Sequence, residues 1–115
     1  MAALKIFIVR YRGIRIKVRV LPTVADVHRE YTDGKRLRNG MQVRGFFQPT
    51  TCPNAGHIGT IVVSVSGKLA EDIPHEVTHA VLHKMRVVAS GDDEPFAYAV
   101  GILSARIARK IEALA

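Results

Sequence analysis

Residues 75–79 read His75-Glu76-Val77-Thr78-His79, and this pentad decides how the rest of the chain is read. Four residues along a helix amount to a rotation of about 400° and a rise of about 6 Å. That stacks the two imidazoles on one face, where both reach a single metal ion. Glu76 falls about 100° round from His75, beside such a metal rather than on it. There a carboxylate can hold a water that zinc acidifies towards a pKa of about 7. The neighbouring Pro74, Val77, Thr78, Ala80, Val81 and Leu82 carry no charge, as a helix buried beneath a metal site requires. His75 and His79 are therefore the candidate ligands of a Zn2+ ion, and Glu76 the candidate general base.

A catalytic zinc site takes a third protein ligand and keeps one position open for water. His83 continues the spacing of four, but on a continuous helix it lies about 12 Å along the axis from His75, too far to share a metal with bonds of about 2.0–2.1 Å. The extended H-E-x-x-H-x-x-G-x-x-H pattern is absent, since Leu82 stands at its glycine position. Glu94 is the better candidate. It lies beyond the Gly91-Asp92-Asp93 break and opens a second helix that can pack across the first, and His2Glu is an established catalytic set. The plainer reading is a carboxylate that complements a helix dipole. Asp92 and Asp93 read either as acceptors for the second ring N–H of a ligand histidine or as helix caps.

Tyr98, one turn past Glu94, is the candidate oxyanion donor, against a plainer role as a buried tyrosine packed on the metal helix. Cys52 and His57 form a C-x4-H pair, which is not a zinc-finger spacing. They read as incidental, or as a thiolate that caps the zinc in a latent form.

The 115 residues, 48% hydrophobic and 23% charged, are expected to form one α+β domain over 1–115, long enough to bury a single core. Trp is absent, so that core rests on Val, Ile, Leu and Ala. No basic region precedes the first apolar run, and no segment approaches about 20 apolar residues. The expectation is a cytoplasmic protein with no membrane partner, in keeping with the single Cys52. The formal charge is +7. Arg10, Arg12, Arg15, Lys17, Arg19, Arg29, Lys35, Arg36, Arg38 and Arg44 crowd the N-terminal part, which reads as a solvated strand face or as a patch for nucleic acid or an acidic partner.

Ile14, Ile16, Val18 and Val20 alternate with Arg15, Lys17 and Arg19, the period of a strand with one wet face. Lys5 to Tyr11 is its hairpin partner across Arg12-Gly13. Thr23 caps a short helix with Val24, Val27, His28 and Tyr31 at helical spacing. Asp33-Gly34 and Asn39-Gly40 are turn dipeptides bracketing a basic loop. Two further strands are expected over Met41 to Gln48 and His57 to Ser66. The metal helix follows, from Lys68 to about Val88. Within it Pro74 either marks the first turn of the regular part, with Asp72 as cap, or introduces a kink. A final helix runs from Glu94 to about Leu114, with Ala97, Val100, Gly101, Ser104, Ile107, Ala108 and Ile111 as its apolar and small stripe. The expected order is β-β-α-β-β-α-α: a small sheet of about four strands, antiparallel or mixed, packed on the metal helix and a C-terminal helix.

The combination His75-Glu76-x-x-His79 with Glu94-Pro-Phe-Ala97-Tyr98 resembles the short zincin-like metallopeptidases of the gluzincin type, many of them encoded by phages and prophages. The resemblance spans about residues 41 to 104. It implies a zincin-like fold, a zinc-dependent hydrolase acting on a peptide or protein substrate, and Glu94 as third ligand with small Ala97 three places on. It further implies that Gly59 to Val65 is the sheet edge that pairs with an extended substrate. In that reading Glu76 takes the water proton and later passes it to the leaving amine. SprT-like proteases would suit the charge, but they supply a third His downstream, and no His follows His83. The rival expectation, of a different class, is a non-catalytic binding or anti-defence protein of a mobile element. It would use the zincin scaffold to present its basic face to nucleic acid or a host protein.

Overall fold

The computed structural model describes residues 3–32, 42–52, 54–85 and 94–113. Their elements run β1 (Lys5–Tyr11), β2 (Ile14–Leu21), α1 (Val24–Thr32), β3 (Gly45–Pro49), β4 (Gly59–Ser64), α2 (Leu69–Met85) and α3 (Glu94–Glu112). This is the α+β order expected from the sequence, with a mixed four-stranded sheet and three helices. The turn dipeptides around 33–40, Met41, and the pair Asp92 and Asp93 lie outside the described residues.

β1 and β2 close through Arg12 and Gly13, whose φ angles of 44° and 82° are the two positive values of a tight hairpin turn with the twist of its strands. Cross-strand partners run from Lys5 with Val20 to Tyr11 with Ile14. β2 then pairs in parallel with β4, and β4 antiparallel with β3, giving the order β1-β2-β4-β3. The edges are thus β1 and β3. This corrects the expectation that Gly59 to Val65 is an edge: β4 is interior, with Val63 paired to Val20 on one side and Gly45 on the other. It is also shorter than the sequence implies, because the chain turns at Val65 and Ser66, where the Ser66 hydroxyl accepts the N–H of Val24 and holds the start of α1.

β4 is buried on both faces. Ile61 and Val63 join Val18, Val20, Val77, Val81, Leu103 and Ile107 in the main core, while Val62 meets Leu21 and Val27 under α1. A contiguous Ile-Val-Val run is the expected signature of a strand covered on both sides. Thr23 caps α1 as expected: its Oγ1 accepts the Asp26 N–H at 3.1 Å and donates to the Asp26 carboxylate at 2.8 Å.

α2 and α3 lie side by side on the other face of the sheet. α2 begins at Leu69, so Pro74 sits inside the helix rather than in its first turn, and the Thr78 hydroxyl donates to the Pro74 carbonyl at 2.7 Å. Asp72 accepts the Lys68 N–H at 3.0 Å and pairs with Arg44 Nε at 3.2 Å. It ties the chain before β3 to the base of α2. The buried stripe of α3 is Ala99, Leu103, Ile107 and Ile111, which corrects the stripe through Ala97 and Gly101. The bulky aliphatics Leu103, Ile107 and Ile111 at i, i+4 and i+8 take the core with Ala99, while Ala97 and Gly101 are left exposed.

Candidate metal centre

α2 carries the pentad with two faces in opposite surroundings. Ile73, Glu76, Val77, Ala80 and Val81 are turned into the protein, while His75 and His79 are exposed. The two imidazoles meet edge to face, with Nε2 of His75 and Nε2 of His79 3.2 Å apart. Two nitrogens bound at about 2.05 Å to one tetrahedral ion stand about 3.3 Å apart, so this pair matches one edge of such a tetrahedron. The Glu76 carboxylate is 5% exposed, and its Oε2 lies 4.0 Å from His75 Nε2. Burial raises the Glu76 pKa, the two imidazoles oppose that, and the Asp72 carboxylate adds to it. The result is a carboxylate held in low-dielectric surroundings beside two nitrogen donors, the setting of a base poised to take a proton.

Facing these residues across an open cleft of about 610 Å³ is the edge strand β3 with Tyr31 of α1. Phe46 packs against Tyr31 at 5.2 Å and Phe47 against His83 at 5.8 Å between ring centroids, so aromatic rings wall both ends. Gly45 of β3 lies close against Glu76 and β4. A Cβ there would stand 3.4 Å from Glu76 Cγ and 3.2 Å from the Val62 carbonyl oxygen. The pentad gave His75, Glu76 and His79, but the role of Gly45, Phe46 and Phe47 depends on β3 being the edge. Pro49 was a usable signal, because a proline in a sheet belongs to an edge strand.

The other expected site residues lie elsewhere. Glu94 and Tyr98 line a separate cleft with Tyr11, Arg12, Lys84 and Met85. Tyr98 is 62% exposed, so the reading as a buried tyrosine packed on α2 does not hold. Cys52 and His57 line a third cleft with His83 and Lys84, and His57 Nδ1 donates to the Gly59 carbonyl at 3.0 Å. Among the described residues no group of three or more His, Cys, Asp and Glu side chains stands together as a metal site. A cavity of about 920 Å³ between α2, α3 and Leu4 is apolar and holds none of the pentad's chemistry. No described helix is long and apolar enough to cross a membrane. No family model matches the chain, and no curated protein or solved structure matches it either.

Proposed function

We propose that the protein is a zinc-dependent peptidase of zincin-like design, whose centre is the His75–His79 pair with Glu76 beside it. The observation that carries this reading is the 3.2 Å separation of the two Nε2 atoms next to a buried carboxylate. The two imidazoles supply two of the three protein ligands that a catalytic zinc takes, and Glu94, the candidate third by ligand type, stands in the separate cleft beside Lys84 and Met85. Zinc held there would supply an acidified water, with a pKa near 7, and polarisation of the scissile carbonyl. Glu76 accepts the proton of the attacking water on its carboxylate and returns it to the leaving amine nitrogen. Edge strand β3 aligns an extended peptide by main-chain pairing, and its position beside Glu76 brings the scissile bond over the histidines. Phe46, Phe47 and Tyr31 favour apolar side chains flanking that bond.

Replacing Glu76 with Gln tests the mechanism. The zinc-loaded variant should keep its metal and fold and lose peptide hydrolysis by about 10²- to 10⁴-fold, because an amide cannot take the proton. Zinc-loaded wild type is assayed in parallel on unfolded casein. A variant that cleaves at the wild-type rate would remove Glu76 from the chemistry.

A further inference from the structure

We propose that the face of β1 and β2 turned away from α2 and α3 binds the phosphate backbone of single-stranded nucleic acid. This surface is independent of the histidine pair. On it Ile6, Ile8 and Arg10 of β1 stand opposite Arg19, Lys17 and Arg15 of β2. α1 covers the sheet at β3, β4 and the end of β2 but leaves this region open, with Ile6 55% and Ile8 45% exposed.

The charge of the face is unbalanced. No Asp or Glu occurs in the sequence before Asp26. Among the described residues, ion pairs engage Arg19, Arg29 and Arg44 but not Arg10, Arg15 or Lys17. Arg10 and Arg15 are direct cross-strand partners, an arrangement of like charges that costs stability unless an anion lies across it.

The spacing favours a nucleic acid over other anions. Side chains on one face of a strand recur every 6.6–6.8 Å or so, comparable to the span of one nucleotide from phosphate to phosphate in an unstacked single strand. Arg15 and Lys17 thus stand in step with successive phosphates, with Arg19, paired to Glu30, next in the row, and arginine forks pair with phosphate in bidentate fashion. Ile6 and Ile8 lie beside the row and offer apolar contact to unpaired bases, which a duplex would not present. An anionic membrane would call for a larger apolar face with interfacial aromatics, and an acidic peptide has no such repeat.

The test is fluorescence anisotropy with a labelled oligodeoxythymidine of about 20 nucleotides, longer than the 4–16 or so that one single-strand-binding module occupies. Saturable binding is expected at about 0.05 M salt and should fall steeply as salt rises. The double variant Arg15→Gln/Lys17→Gln should weaken binding roughly tenfold to hundredfold and flatten the salt slope by about 1.4. The control Arg29→Gln/Lys68→Gln, which removes the same charge elsewhere, should leave both near wild type. Ile8→Ser should weaken binding with the slope unchanged, and it carries the test if the double variant does not fold. Zinc chelation should have no effect. Absence of oligonucleotide binding, an equal loss in the control, or binding to phosphatidylserine vesicles in preference to the oligonucleotide would each overturn the proposal.

Discussion

Glu76 shows the conflict between stability and chemistry at the scale of one residue. Its carboxyl is buried in α2, and desolvation lifts its pKa above the ordinary value despite the neighbouring imidazoles. A folded-state pKa above the unfolded one means that the group contributes its full stability below the unfolded value and loses it as pH rises through the folded value. At neutral pH the metal-free protein therefore bears the cost of a buried charge. Metal-free Glu76→Gln should be more stable than wild type at about pH 7 by roughly 0.5–2 kcal/mol, a gain that shrinks towards pH 4. Thermal unfolding of both proteins at the two pH values measures this. An equal or lower midpoint for the variant at pH 7 would contradict it. The helical spacing of the pentad made His75, Glu76 and His79 legible from sequence. The burial of Glu76 and its contact with Gly45 depend on a strand remote in sequence, so spacing alone does not reveal them.

At the scale of elements, local signals read well and long-range pairing did not. Alternation fixed β1 and β2, and Arg12-Gly13 fixed their turn. Strand order is another matter, because which strand lies beside β2 is decided by the chain's path over α1 and by coverage of both sheet faces. The run Ile61-Val62-Val63 carries the trace of that coverage: it is apolar on both sides and therefore interior. A consequence follows for Val63, which is paired on both sides. Val63→Pro should remove an interior ladder bond and place a ring between two strands, costing about 3 kcal/mol or more. The variant should lose its cooperative unfolding transition by circular dichroism. A variant that folds with near-native stability would contradict the strand order.

At the scale of the whole molecule, α2 is the shared wall of the site cleft under β3 and the cleft that holds Glu94 and Tyr98. The sequence could name Glu94 by residue type and order, but which flank of α2 it reaches depends on the packing of α3, where helical periodicity found Ile107 and Ile111 of the buried stripe and missed Ala99 and Leu103. Glu94→Ala, titrated with zinc against a chelating dye, separates the possible roles. As a ligand, Glu94 should cost more affinity than the 10- to 100-fold or so that loss of an outer-shell partner costs. Unchanged affinity would remove it from the centre. The claim on which the proposed function rests is that His75 and His79 share one ion. Elemental analysis after zinc loading and gel filtration tests it most directly. The account predicts one zinc per chain in wild type and almost none in His79→Ala; a zinc-free wild type, or a variant that retains the same zinc, would contradict it.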